Sequence, residues 1–175
     1  MRQIQKPFPG EYPAPAELYI RLLPDDGLIL QNLKDNFERT RDFICALPEE
    51  KLLHRYKKNK WTIKEILVHI IDDERIYAYR ALRFARNEQQ ALIGFDQDAY
   101  AFYSGANNRT IDSIFNEFES VRQSTIGLFE NLPENSLLRK GKGAGSFKGA
   151  TVRAMAYHIA GHELHHINFI KRHYL

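Results

Sequence analysis

The sequence predicts an all-α four-helix bundle, and three observations carry that prediction. Apolar residues recur at helical spacing in four separate stretches, caps or prolines bound those stretches, and no stretch alternates apolar and polar residues convincingly as a strand would. The reading is of one domain over residues 1–175. An extended proline-rich arm occupies 1–24, the bundle occupies 25–175, and a long connection joins helices two and three.

The arm holds five of the seven prolines, Pro7, Pro9, Pro13, Pro15 and Pro24. Each removes a backbone donor and biases its predecessor toward extended backbone. Phe8, Tyr12, Tyr19, Ile20 and Leu22 are the residues expected to fasten it to the domain. Helix one follows from about 26 to 47 on Leu30, Leu33, Phe37, Ile44 and Leu47, and Pro48 stops it. Thr62 followed by Glu65 is a capping box. It opens helix two, which runs through Ile66, Ile70 and Tyr77 to about Asn87.

Residues 88–108 are longer than a bundle connection needs, and a short helix is expected within 96–103. Asp96 or Asp98 is expected near the mouth of a pocket shaped by this segment. Thr110 caps helix three, which ends at Pro133. The segment RKGKGAGSFKG, residues 139–149, lacks GxxxxGK[ST] and follows no strand, so it reads as a connection and not as a phosphate loop. Helix four runs from about Thr151 to His173.

Composition excludes several classes. The chain carries 25 Lys+Arg against 22 Asp+Glu, and the resulting +3 is spread along its length, so nucleic acid is not indicated. No apolar run reaches the roughly 18 residues of a membrane span. A single cysteine, Cys45, and no apolar leader in MRQIQKPFPG point to the cytoplasm.

Chemistry concentrates in the histidines. Four of seven, His158, His162, His165 and His166, fall within nine residues of helix four. His158, His162 and His166 share a face, whereas His165 is offset by about 100° from His166. Imidazoles one turn apart, about 6 Å along the axis, can share an ion, but three in succession span about 12 Å. One of the three therefore does something else, and spacing leaves open which. The string His162-Glu163-Leu164-His165-His166 matches HExxH, the zinc metalloprotease motif with glutamate as base. However, HExxHxxGxxH is absent, no distant glutamate follows, and Glu163 points about 100° from its ligand neighbour. A third ligand must come from upstream. His69, mid-helix among Ile66, Val68 and Ile70, suits that role better than His54 in the polar stretch KLLHRYKKNKW.

WTIKEILVHIIDDER in helix two and HIAGHELHHINFI in helix four, with Tyr19 in the arm, RALRFARNE and GFDQDAY, resemble the DinB family of four-helix bundles over nearly the whole chain. The resemblance implies a metal triad of one histidine from helix two and an HxxxH pair from helix four, here His69, His162 and His166. It also implies a divalent ion, zinc or nickel first. The activity it implies is that of a metal-dependent hydrolase, or of a thiol transferase or isomerase using bacillithiol, mycothiol or glutathione. The expected partner is a small-molecule substrate, with neither nucleic acid nor membrane. The alternative is a non-catalytic, stress-associated metal-binding bundle, which requires a closed fourth ligand and has Asp73 as its one nearby candidate.

Asp73, one turn after His69, and His158, one turn before His162, are candidates to support the ligands. Tyr77 and Arg80 are candidates to meet an anionic substrate, and His165 and His173 read as surface residues. A homodimer through helix faces is compatible with the fold, although no decisive seam is visible.

Overall fold

The computed structural model describes residues 1–141 and 149–175, so the centre of the glycine-rich segment, 142–148, lies outside the described residues. The chain forms α1 (Glu17–Ile20), α2 (Ile29–Cys45), α3 (Glu49–Leu52), α4 (Ile63–Ala85), α5 (Gln97–Tyr103), α6 (Ile111–Glu130) and α7 (Val152–His173). The long helices α2, α4, α6 and α7 make the bundle. Their starts follow the polar signals. Thr62 Oγ1 accepts from Glu65 N at 3.1 Å while Glu65 Oε2 accepts from Thr62 N at 2.7 Å, so two otherwise orphaned donors are satisfied reciprocally. Thr110 and Thr151 each accept from the amide three residues on, and Asp96 caps α5.

α4 packs on α6 and α7, and α2 packs on the same two helices. Successive long helices α2 and α4 therefore lie across a diagonal of the bundle, and residues 46–62, including α3, carry the chain between them. The core is divided. One apolar cluster, with Leu30, Leu33, Phe84, Phe129 and Tyr157, fills one end, and another, with Phe37, Ile63, Leu67, Phe118 and Ile170, fills the other. Each such buried side chain contributes about 1.5–3 kcal/mol. Between them lies a buried polar layer that includes Thr40, His69, Asp73, Glu74, Arg122, His162 and Glu163.

The arm departs from the expectation. It is extended only to Phe8; a turn closed by Glu11 N on the Phe8 carbonyl at 3.0 Å follows, then Ala14–Ala16 form a 3₁₀ turn and α1 continues the helical path. Pro15 is tolerated there because the first helical residues need no backbone donor. Ile4, Ala16, Ile20 and Leu23 fasten it, whereas Phe8 and Leu22 are exposed. Arg153 clamps Glu11 at the base of α7, and α1 packs along α7. Among the described residues no helix is long and apolar enough to cross a membrane.

Candidate functional site

Helical periodicity sends neighbouring residues of α7 to different partners. His162 faces α4, where its Nε2 lies 3.2 Å from His69 Nε2, and His166 Nε2 lies 3.1 Å from the same His162 atom. One nitrogen from each of the three rings falls within 4.8 Å of the others. His69 and His162 are 4% exposed, so the group sits at the wall of the core with His166 on its outer side.

Asp73 lies behind His162. Its Oδ2 is 3.4 Å from His162 Nδ1 and 3.2 Å from His158 Nε2. A carboxylate 3.4 Å from Nδ1 favours the His162 tautomer that carries its proton there, which leaves the Nε2 lone pair toward the other two histidines. Asp73 thus supports the site from outside and is absent from the converging nitrogens, contrary to the closed four-ligand arrangement. His158 is stacked on Tyr77 with ring centroids 3.7 Å apart, and its Nδ1 is buried without a hydrogen-bond partner among the described residues.

Burial holds the imidazoles neutral. It pushes His69 below the ordinary value, and pushes His162 well below it with help from its histidine neighbours. His166 is lowered to about 3, by burial first and then by His69.

Two aromatic residues frame the group. Trp61 lies against His69 with ring centroids 4.8 Å apart. Tyr19 places its ring edge-on against His158, His162 and His165. The approach of the arm depends on Gly161. A Cβ there would lie 2.3 Å from the Tyr19 carbonyl oxygen, so no larger residue fits without moving the arm.

Glu163 faces the other way. It is fully buried, accepts from Thr40 Oγ1 at 2.7 Å, and takes an Arg122 Nη2 donor at 2.8 Å. Arg122 also makes three contacts of 2.8–3.1 Å with Glu74 and donates to the Leu33 carbonyl. Burial raises the Glu163 carboxyl, with Arg122 opposing it. The glutamate of the HExxH string is therefore bonded to α2 and α6, and no proton-abstracting role at the histidines is open to it.

A cleft of about 350 Å³ opens at His166, lined by Tyr56, Trp61, Gln97, Asp98, Phe169 and Tyr174 among others. Gln97 and Asp98 bring the long connection to this mouth, as anticipated, while Asp96 caps α5. Tyr77 and Arg80 are placed elsewhere. Arg80 is buried over the Tyr77 and Phe95 rings, donates to the Ile93 carbonyl, and lines a separate cavity between α4 and the connection. His54 is exposed, as expected. His173 is exposed, but His165 is half-buried and lines the cleft. Trp61 and the aromatic walls escaped the sequence reading. The one available signal was a lone tryptophan immediately before the capping box.

A family model described as the DinB superfamily matches residues 32–170. The Oceanobacillus iheyensis protein named "Putative metal-dependent hydrolase OB0413" is 24% identical over 144 residues, 81% of this chain and 81% of its own. The structure of YfiT from Bacillus subtilis, described as "a probable metal-dependent hydrolase with an unusual four-helix bundle topology", superimposes with a TM-score of 0.72. It covers 89% of this chain and 97% of its own at 14% identity, a likeness of fold. The family match extends from within α2 to within α7 and takes in all three converging histidines, and the chain belongs to the DinB superfamily.

Proposed function

We propose that the chain is a metal-dependent enzyme acting on a small molecule, with His69, His162 and His166 holding one divalent ion, zinc or nickel. The observation that carries this is the convergence of three Nε2 atoms at 3.1 and 3.2 Å beside an open cleft. Ligand nitrogens at metal distances near 2.1 Å in tetrahedral arrangement stand about 3.4 Å apart, which the two separations from His162 approach, while the third pair lies within 4.8 Å and closes by side-chain adjustment. A divalent ion bound there supplies Lewis acidity, lowering the pKa of a water or thiol that reaches it.

The chain's own residues do the rest. Asp73, 3.4 Å from His162 Nδ1, favours electrostatically the tautomer whose lone pair points inward. Trp61 and Tyr19 restrict solvent around the ligands, and the cleft at His166 admits the substrate from one side. Three neutral ligands leave a coordination position for the reacting group, which favours catalysis over a purely structural role. The names of the relatives support hydrolysis, and transfer of a low-molecular-weight thiol uses the same activation.

The test is elemental analysis of protein purified without a metal-affinity tag, with turnover of 4-nitrophenyl acetate and of glutathione with 1-chloro-2,4-dinitrobenzene measured alongside. One ion per chain, with metal and at least one turnover lost in His69→Ala and His162→Ala, is the expected result. A wild type that neither contains nor takes up zinc or nickel overturns the proposal, and a loaded protein inert in both assays overturns its catalytic part.

A further inference from the structure

A second cavity, of about 240 Å³, adjoins the cleft and shares His165 and Phe169 with it as a dividing wall. It lies between α1 and the last turns of α7. On α7, His165, Phe169, Arg172 and His173 fall at helical spacing on one stripe. On the arm, Leu18 and Leu22 are one turn apart with Arg21 between them, and all three line the cavity. Arg21 and Arg172 are exposed, and neither has a hydrogen-bond or ion-pair partner among the described residues. No carboxylate lines this cavity among the described residues. The cleft beyond the wall is different. Its walls are the rings of Tyr56, Trp61, Phe169 and Tyr174, and its two charges, Lys60 and Asp98, offset each other.

Two guanidinium groups lining one cavity, with no carboxylate among its described lining residues, match a planar anionic head, since arginine presents paired donors to carboxylate or phosphate. The aromatic cleft suits an apolar, preferably flat body, because ring contacts supply area with little loss of rotamer entropy. We propose that the two cavities form one trough for an elongated amphipathic anion, its apolar body in the cleft beside His166 and its carboxylate or phosphate between Arg21 and Arg172. This specifies the substrate class of the site proposed above and rests on that cleft being the substrate cleft. His165 and Phe169 stand between the anionic end and the cleft at His166.

The probes are 8-anilinonaphthalene-1-sulfonate, an aromatic anion, and N-phenyl-1-naphthylamine, the same body without the charge. Both are titrated into metal-free protein with energy transfer read from Trp61, the chain's one tryptophan and a wall of the cleft. The anion is expected to bind once per chain, and Arg21→Ala/Arg172→Ala to raise its Kd at least tenfold while the neutral probe's Kd moves less than twofold. Arg21→Lys/Arg172→Lys should recover part of the loss. Displacement of the anion by 2-naphthoate or by 2-naphthyl phosphate identifies the head group, and displacement by neither overturns the proposal. It is equally overturned if the arginine variants leave the anion's Kd unchanged or weaken both probes alike. Because the readout uses metal-free protein, failure of metal uptake leaves it intact.

Discussion

Removing the guanidinium from the buried polar layer should be far more damaging than neutralising the motif glutamate beside it. Arg122, Glu74 and Glu163 have side chains 3%, 1% and 0% exposed, so water cannot substitute for a lost partner. Arg122→Met keeps an apolar stem of similar length but leaves two carboxylates, already 1 against 2 in charge with the arginine, without any cation. Breaking a buried pair in this way costs about 3–5 kcal/mol. The carboxyls can relieve the cost only by taking up protons, so their folded-state pKa rises above the unfolded value. The folded variant then binds more protons than the unfolded chain, and its penalty grows as pH rises from 5 to 8. Glu163→Gln instead removes the surplus negative charge, retains volume, and leaves an amide able to bond both Arg122 and Thr40, whose hydroxyl can reverse its role. It should cost less than about 1.5 kcal/mol. Urea unfolding of metal-free protein at pH 5 and pH 8 measures both, with metal uptake checked separately. The reasoning fails if Arg122→Met costs under about 1 kcal/mol, if its penalty shrinks as pH rises, or if Glu163→Gln abolishes turnover while metal remains bound. That last outcome would restore Glu163 as a base.

Asp73→Asn keeps an acceptor but loses the charge behind His162 and should weaken metal affinity by about 10- to 100-fold in a competitive chelator titration, whereas an unchanged affinity would remove Asp73 from the support of the site. Gly161→Ala gains about 1 kcal/mol of helix propensity but drives a Cβ into the Tyr19 backbone. Overpacking costs about 1–3 kcal/mol, so a net loss of stability and faster amide exchange over residues 14–22 are expected, and a stabilised variant with an undisturbed arm would contradict the close approach. The metal-free protein should lose stability as pH falls below about 6.5, because the unfolded histidines take up protons that His69, His162 and His166 refuse when folded, His166 down to about 3. Urea midpoints from pH 7 to 5 would show it, with a smaller fall in His166→Gln. Glu11 is held below its ordinary 4.5 first by its hydrogen bond with Arg153, so its contribution is present above that value and disappears as pH drops through the folded pKa. Proteolysis within 8–16 should accelerate there, and pH-independent cleavage would mean the clamp does not hold the arm.

Local signals made the helices legible, because capping chemistry is written in adjacent residues. Thr62 with Glu65, Thr110 and Thr151 each mark a start that the structure keeps. The histidines were legible for a related reason. Residues four apart on a helix must share a face, and an apolar setting around His69 says that its face is inward. What spacing left open, the pair from helix four, is resolved only by how α4 is placed along α7. That is a tertiary quantity, and the structure puts His69 beside His162 and His166 and leaves His158 to Asp73 and Tyr77. Trp61, Tyr56 and Tyr174 were illegible as site residues because they come from loops and an end of the chain, where no periodicity ties a residue to a face. Arg80 illustrates the complementary case. Its helical face was clear, but the long connection folds over that face and gives the guanidinium its partners.

The polar layer gains its significance from where α7 divides it. His162 and Glu163 are adjacent, so the helix must aim them about 100° apart, and each finds a partner set that the other could not use. His162 needs neutral, lone-pair-bearing neighbours and a carboxylate behind it, which α4 provides through His69 and Asp73. Glu163 needs a cation and a hydroxyl, which α6 and α2 provide through Arg122 and Thr40. Because Arg122 also binds Glu74 on α4, one guanidinium ties α4 to α7 directly behind the histidines. The rotation and height of α7 against α4 are thereby fixed by charge-assisted bonds, which are directional, and not by apolar packing alone, which tolerates sliding. If that is the layer's role, Arg122→Met should weaken metal affinity although Arg122 touches no histidine, and Arg122→Lys, which keeps the charge but not the fork, should recover stability more completely than it recovers affinity. Equal recovery of both would mean that the layer holds the bundle together without setting the geometry of the site.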